Sequence, residues 1–365
     1  MLQTNGHEVS WFKRSSSEIS NSITGAIKAF FTGIYNPLTA KTLDNILEKT
    51  NPDIVQVQNI YPLISVSIFK PIKKRRIPVV MRCPNYRLFC PNGLHLSKGR
   101  ICEKCTGNGK ELWCILKNCE NNIFKSTGYA LRNAYARITK KIINNVDMFI
   151  VQTEFQKNKF IERGITTERI GILSGIVPEC ESQESEHGDQ VSFIGRINPE
   201  KGIEDFLNAA KKLRDIPFSV AGMNNNMSGI YKNSPQNVKW LGFLESEELI
   251  NLYRRSRIIV IPSRWYEGFP NVAAQAMAYA RPIVAARIGA LSSMIEDHKN
   301  GLLFETGNVK ELAEKIQYLW NQPELCSIMG QQARQKALRE YSPEKCYNAL
   351  IDIYKKAIIN SKNNV

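Results

Sequence analysis

The sequence lacks long apolar runs, and histidine is scarce. None of its 365 residues falls in an uninterrupted apolar stretch of 18, which argues against a membrane-spanning helix. The start, MLQTNGHEVS, lacks the basic-then-apolar layout of a signal peptide. We therefore expect a cytoplasmic protein. The four histidines lie near no serine or cysteine in a nucleophile pattern, so a hydrolase triad is not supported.

Motifs that hold a metal ion on phosphates are also missing. The sequence contains no Asp-x-Asp, no His-x-x-Glu-His and no Walker loop. No divalent cation is therefore expected on a bound phosphate, and we predict no cofactor for catalysis. Positive charge for a phosphate would have to come from side chains and helix N-termini.

The net charge of +15 is unevenly distributed. Lys and Arg outnumber Asp and Glu by 26 to 13 in residues 1–180, but only by 23 to 21 in residues 181–365. The densest cluster is FKPIKKRR (Phe69–Arg76). A basic half indicates an anionic partner such as a membrane surface or a phosphorylated substrate, or simply a solvated face. Aromatic residues are not interleaved with the cluster, so nucleic acid is not an expected partner.

Short apolar runs rich in Val and Ile alternate with helical patterns along the chain. This alternation is typical of parallel sheets with helices on both faces. The predicted strands are Asp53–Gln58, Ile77–Arg82, Val146–Val151, Val191–Gly195, Pro217–Gly222, Arg257–Ser263 and Arg281–Ala286.

A polar, acidic segment interrupts the alternation and predicts a linker at 179–190. It would join an N-terminal Rossmann-like domain at 1–178, with a cysteine-rich insert at 83–119, to a second one at 191–341. A final helix at 342–365, capped by Ser342, would pack back toward the first domain. We expect ligands to bind in the cleft between the domains, where the carboxyl ends of the strands face each other.

Two strand–loop–helix units carry the candidate site. The first, VSFIGRINPEKG, runs from a buried strand through Gly195, Arg196 and Lys201 into a helix. Glycine lets the backbone approach a ligand closely, and both cations stand at a helix N-terminus, which favours anions. Taken alone, the pattern fits solvent-facing charges equally well.

The second unit, RWYEGFPNVAAQAMA, places Glu267 in a turn before a small-residue helix with Asn271 as its N-cap. A carboxylate beside a phosphate is repulsive, so Glu267 should accept hydrogen bonds from hydroxyl groups. A nucleotide-diphosphate sugar offers both halves, with a diphosphate for Arg196 and Lys201 and hydroxyls for Glu267.

Five of the nine cysteines lie between residues 90 and 119. Cys102 and Cys105 have the C-x-x-C spacing of a zinc knuckle, and Cys90 with Cys114 or Cys119 could complete a tetrahedron. We predict a structural zinc on Cys90, Cys102, Cys105 and Cys119. Buried free thiols, or disulfides in an oxidising compartment, are the alternatives.

These segments, followed by GALSSMIEDHKNGLLF, resemble family 4 retaining glycosyltransferases of the GT-B fold, and the first half resembles a subgroup with NYRLFCPNG and CEKC in its acceptor domain. The resemblance implies two Rossmann-like domains facing across a cleft. It also implies retaining, metal-independent hexosyl transfer from a nucleotide-diphosphate sugar to a glycan or lipid-linked acceptor. The implied location is cytoplasmic, on the inner face of the plasma membrane, in cell-surface polysaccharide or glycolipid synthesis.

The resemblance also assigns roles to residues. Arg196, Lys201 and Glu267 would be catalytic, with the two cations on the diphosphate. Position 275, a glutamate in the family and Gln275 here, would meet the ribose. The implied donor-binding residues are Gly195, Gly242, Phe243, Leu244, Gly268, Phe269, Pro270, Asn271 and Gln275.

Three departures from the family pattern support an alternative function. They are the amide at Gln275, a proline at Pro84 where the family has a histidine, and a late start. LQTNGHEVSWFKR resembles the end of a first helix and a second strand, so the N-terminal domain is expected to lack its first strand. The alternative is a truncated, catalytically weak protein that binds sugar nucleotides at the membrane surface. A nucleotide-sugar epimerase would share the fold but needs an acid–base pair that the sequence does not show.

Overall fold

The computed structural model describes residues 1–19, 22–107, 109–177, 188–224 and 229–363. The chain divides into two compact units. The first unit comprises Met1–Lys98, Cys102–Leu173 and Tyr347–Val365, and the second comprises Gly99–Ile101 and Ser174–Cys346. Residues 179–187 of the predicted linker lie outside the described residues, and its last residue, Gln190, already begins a strand.

The first unit is built on a parallel sheet of four strands within the described residues, in the order β1-β2-β5-β6. The four are β1 (Val55–Gln58), β2 (Val79–Arg82), β5 (Met148–Val151) and β6 (Ile170–Ile172). Two short strands, β3 (Leu96–Ser97) and β4 (Arg100–Ile101), form a separate two-stranded sheet.

Helices cover the sheet of the first unit because each has an apolar stripe to bury. In the second helix, for example, Leu43 and Leu47 lie in the core, while the Asn36 side chain caps the first turn by accepting a hydrogen bond from the backbone of Thr39. The helices are α1 (Ile23–Ile34), α2 (Pro37–Thr50), α3 (Phe69–Lys74), α4 (Leu112–Leu116), α5 (Ile123–Ile138) and α6 (Glu154–Ile161).

The second unit contains a parallel sheet of six strands within its described part, in the order β12-β11-β10-β7-β8-β9. The buried runs of Val, Ile and Ala match a sheet that is covered on both faces. The strands are β7 (Gln190–Ile194), β8 (Phe218–Ala221), β9 (Val238–Gly242), β10 (Ser256–Ile261), β11 (Ile283–Ala286) and β12 (Gly301–Phe304).

The helices of the second unit follow its strands in the order that parallel pairing requires. They are α7 (Ile203–Lys212), α8 (Ser246–Arg255), α9 (Asn271–Ala278), α10 (Leu291–Met294), α11 (Val309–Trp320) and α12 (Pro323–Tyr341). A last helix, α13 (Pro343–Asn363), belongs to the first unit from Tyr347 onward, where Asn360 donates to the carbonyl oxygen of Asp147 at 3.4 Å.

The predicted fold class is confirmed: the chain is α/β, with two Rossmann-like parallel sheets of the GT-B type. All seven predicted strands are present, with ends shifted by one or two residues. The sequence analysis missed β3, β4, β6, β9 and β12, because their apolar runs are short or mixed with polar residues. The strand expected before Arg14 is wrong: residues 7–15 form no regular structure and pair with no strand of the described chain.

Candidate functional site

Two adjacent strands of the second unit end at the candidate site. β7 and β10 are hydrogen-bonded neighbours that run parallel, so the loops after them leave the same edge of the sheet. The loop after β7 contains Gly195 and Gly202, and the loop after β10 contains Glu267. The site residues predicted from the two strand–loop–helix segments therefore lie at one edge of the same sheet.

Close packing of backbone fixes the two loops against each other. The backbone N–H of Arg264 donates to the carbonyl oxygen of Glu200 at 2.9 Å. Gly202 has φ +72°, and a Cβ there would lie 1.8 Å from the carbonyl oxygen of Pro262. Only glycine satisfies both the left-handed backbone and this approach. Gly202 is therefore the position at which one loop is pressed onto the other.

Lys201 and Glu267 form an ion pair where these loops meet. Lys201 Nζ donates to Glu267 Oε2 at 2.7 Å, while the Ser263 hydroxyl donates to Oε1. Glu267 is only 6% exposed, and the Lys201 ammonium also lies 5.7 Å from the centre of the Trp265 ring. A buried, charge-assisted pair of this kind fixes both side chains before any ligand arrives.

Arg196, the other predicted cation, behaves differently. It follows Gly195, whose φ is +149°, in the same loop as Lys201, and its side chain is exposed. No ion pair holds it within the described part of the chain. The structure thus places Arg196 and Lys201 on one loop but pairs only Lys201 with the predicted carboxylate.

A second ion pair in these loops was not predicted. The Arg264 guanidinium makes a two-pronged contact with the buried carboxylate of Asp205 in the first turn of α7, with Nε to Oδ2 at 2.8 Å. The pair links the loop after β10 to α7. The sequence does contain a signal for this pair. Asp205 lies inside the apolar stripe of a helix, and a buried carboxylate usually needs a partner.

The helix after the second loop begins one residue earlier than predicted. Asn271 is the first residue of α9 and Pro270 precedes it, so Asn271 is not the N-cap. Phe269 is buried and contacts Tyr341 edge to face at 5.3 Å. Phe269 therefore anchors the loop in the core, so that only its backbone is left to contact a donor. Gly268, which has no side chain, is half-buried.

Gln275 is already engaged. The Tyr253 hydroxyl, which is buried, donates to Gln275 Oε1 at 2.9 Å. Burial raises the pKa of Tyr253 well above its usual value, so it stays a donor. The amide at this position thus has a partner of its own inside the protein, which the sequence did not reveal.

The remaining predicted donor residues follow β9. Gly242, with φ +70°, ends that strand, and its carbonyl oxygen accepts from the backbone of Gly222 at 2.7 Å. Phe243 is 63% exposed, and Leu244 is half-buried. An exposed aromatic side chain beside a strand end is suited to stacking on a planar ligand group.

Among the described residues no group of three or more His, Cys, Asp or Glu is arranged to hold a metal ion. Cys105 packs with Cys114 in a small apolar cluster, and burial raises the pKa of Cys105 to about 12. The eight described cysteines are free thiols. The structural zinc on Cys90, Cys102, Cys105 and Cys119 stays a prediction.

No helix within the described ranges combines the length and the apolar character needed to span a bilayer. In the basic cluster 69–76, Phe69 and Ile72 are buried in the core, and Arg75 pairs with Asp44 at 2.8 Å.

Part of this chain is similar to known proteins. Residues 181–336 match the model of the family "Glycosyl transferases group 1". An uncharacterized glycosyltransferase of Methanocaldococcus jannaschii is 30% identical over 219 residues, which cover 59% of this chain and 61% of that protein. An uncharacterized protein of the cps region of Klebsiella pneumoniae is 27% identical over 267 residues, covering 72% of this chain and 64% of its own.

The chain thus spans less than two thirds of these relatives. Among solved structures, HepE of Anabaena in complex with UDP aligns with a TM-score of 0.63 at 15% identity, covering 86% of this chain and 80% of HepE. At 15% identity, this alignment supports a shared fold and nothing further. Residues 181–336 are thus similar to a glycosyltransferase family, and the solved structures share the fold of the chain.

Proposed function

We propose that the protein transfers a hexosyl group, with retention and without a catalytic metal, from a nucleotide-diphosphate sugar to a glycan or lipid-linked acceptor. The observation that carries the proposal is the Lys201–Glu267 pair at the edge of the second unit, with Arg196 on the same loop. The family match over residues 181–336 supports the reaction class.

Each side chain has a distinct role in this proposal. As the bond to the sugar breaks, charge develops on the leaving diphosphate, and the positive charges of Arg196 and Lys201 stabilise it. Glu267 keeps acceptor capacity beyond its bonds to Lys201 and Ser263, because a carboxylate offers about four lone-pair sites. It would accept hydrogen bonds from sugar hydroxyls, while Phe243 stacks on the base.

The α9 N-terminus adds donors that need no proton transfer. Its first free backbone N–H groups, from Asn271 onward, point toward the same edge of the sheet as the loop that carries Glu267. Side chains and a helix terminus can together carry the diphosphate charge, which is why we propose a metal-independent reaction.

The proposal is tested with the double variant Arg196→Ala, Lys201→Ala. We expect transfer from UDP-hexoses to fall roughly a thousandfold or more, by analogy with losing oxyanion donors, while circular dichroism stays native. The matched control is Lys211→Ala with Lys212→Ala, because both side chains are exposed on α7. Undiminished transfer by the first double variant would contradict the proposal.

A second candidate function is binding of sugar nucleotides without turnover. The engagement of Gln275 by Tyr253 favours it, because the residue implied to meet the ribose is held by the protein itself. Calorimetry with UDP-hexoses beside a product assay separates the two functions. Binding with no product would select the second.

We further propose that the protein works in the cytoplasm at an anionic membrane surface, in cell-surface polysaccharide or glycolipid synthesis. The basic first half supports this, as do exposed apolar side chains along one face of α5: Ile123, Leu131 and Ile138. The relative from the cps region fits that role. Flotation with phosphatidylglycerol vesicles should recover the protein, and failure to float at low salt would count against it.

A further inference from the structure

The first unit contains a group of arginines that the proposed reaction does not use. Arg132 lies on α5, and Arg87 follows β2 by five residues. Tyr61 follows β1, the parallel neighbour of β2. The carboxyl ends of parallel strands are where α/β sheets bind ligands, so this group occupies the part of the first unit that corresponds to a ligand edge.

Arg132 is a buried cation without a carboxylate. Its side chain is only 4% exposed, and its guanidinium lies 3.7 Å from the centre of the Tyr129 ring and 4.6 Å from that of Tyr61. Nη2 donates to the carbonyl oxygen of Pro91 at 2.9 Å, whereas Nε is buried with no hydrogen-bond partner. No ion pair involving Arg132 occurs in the described ranges. Burying an unbalanced charge is costly, so such a group requires an explanation.

Arg87 adds a second positive charge at the same place. It is half-buried, so solvent reaches it, and its Nε is also buried without a partner. Its backbone is fixed, because Asn133 Nδ2 donates to its carbonyl oxygen at 2.8 Å. Burial, and then repulsion from Arg87, lower the pKa of Arg132 to about 10. The two guanidinium groups therefore lie close enough to oppose each other.

Glu120, the carboxylate that both arginines attract, does not neutralise their positive charge. Glu120 is half-buried, and burial raises its pKa in spite of the attraction of Arg132 and Arg87. The Tyr61 hydroxyl is buried without a partner, and burial raises its pKa to about 12, so it remains a hydrogen-bond donor. Two guanidinium groups and a phenol therefore present donors and positive charge with too little negative charge nearby.

We propose that Arg87, Arg132 and Tyr61 form a binding subsite for a phosphate or carboxylate group carried by the acceptor. A planar guanidinium fork matches both anions, and the aromatic stacking holds Arg132 in place before binding. The identity of the ligand as acceptor rests on the proposed function, because the donor diphosphate is assigned to the second unit. The presence of an anion subsite rests only on the first unit.

The experiment uses the full chain carrying Arg196→Gln and Lys201→Gln, which removes both cations from the proposed donor site of the second unit. Isothermal titration with inorganic phosphate and with acetate, at constant ionic strength in chloride, measures the affinity of the remaining site. We expect saturable binding that Arg87→Gln weakens roughly tenfold or more, as expected for losing a charged hydrogen bond. Arg76→Gln is the matched control: it removes the same charge from an exposed position of the first unit and should change affinity less than about twofold.

A second variant tests the same subsite independently, in case Arg87→Gln disturbs the packing. Arg132→Lys retains the charge but loses the planar fork, and we expect it to weaken binding while circular dichroism stays native. Glycerol 3-phosphate is then compared with phosphatidic acid vesicles, and preference for one source identifies a soluble or a lipid-borne group. Absence of saturable binding of either anion, or equal binding by Arg87→Gln and Arg76→Gln, would overturn the subsite.

The two proposals can fail separately. UDP binding to the unmodified chain reports on the second unit, whereas phosphate binding that depends on Arg87 reports on the first. If UDP does not bind but phosphate still binds in a manner that depends on Arg87, the proposed donor is wrong and the anion subsite stands.

Discussion

Buried and half-buried cations of the two units have different kinds of partner. In the second unit, Lys201 and Arg264 end on the carboxylates of Glu267 and Asp205. In the first, Arg132 ends on two tyrosine rings and a carbonyl oxygen. A carboxylate within the protein holds a cation in position before a ligand binds, but it neutralises part of the positive charge that the ligand would meet. An unpaired cation keeps its full charge for a ligand and lowers the stability of the empty protein.

The largest expected effect comes from removing the carboxylate in the second unit. Glu267→Ala would leave Lys201 without an acidic partner, as Arg132 is now. Breaking a buried pair on one side should lower the free energy of unfolding by about 3 kcal/mol, measured by urea denaturation. Glu314→Ala, at an exposed position of α11, should stay within about 0.5 kcal/mol. Equal losses in both variants would show that the ion pair is not the cause.

A smaller effect should follow from separating the loops that create the pair. Gly202→Ala adds a Cβ that would meet the Pro262 carbonyl oxygen, so the loops must move apart. We expect a loss of about 2 kcal/mol beyond that of Gly307→Ala, together with weaker UDP binding. Gly307 is the matched control because its φ is +84° and nothing lies within 4 Å of the added atom. Identical melting temperatures for the two variants would contradict this account of the site.

The smallest effect concerns acid stability of the second unit. Lys299 and Lys336 hold the pKa of Glu296 at about 2, below the ordinary 4.5. Its stabilisation is therefore complete above about pH 4.5 and is lost as the pH falls toward 2. Since Glu296 is partly exposed, Glu296→Gln should lower stability by at most about 1 kcal/mol at pH 7. The difference between the two proteins should vanish near pH 2, and a difference that grows in acid would reverse the sign of this assignment.

The sequence predicted the strands well wherever a buried run of Val and Ile was long enough. β2, β5, β10 and β11 have such runs, because a parallel strand is covered on both faces. β12 reads GLLF and β6 reads IGI, which are too short to distinguish from a loop. These strands form because neighbouring strands supply hydrogen-bonding partners, which is information that no local pattern contains.

The candidate site was predicted in part. Glycines beside charged residues at strand ends identified Gly195, Lys201 and Glu267, and the structure joins the last two at 2.7 Å. The Arg264–Asp205 pair and the Tyr253–Gln275 hydrogen bond link residues 59 and 22 positions apart. Their formation depends on the packing of α7 and α8 against the sheet. For the cysteines, spacing alone predicted a ligand set, and the zinc stays a prediction.

What the sequence determined by itself is the α/β class and the chemistry available at each strand end, because burial on both faces and glycine's backbone freedom leave local marks. Only the tertiary structure decided which charges meet. Adjacent parallel strands bring Lys201 to Glu267, whereas in the other unit Arg132 lies against two tyrosine rings and makes no ion pair within the described residues. Ion pairing depends on distance and burial in three dimensions, and neither is a property of a short stretch of chain.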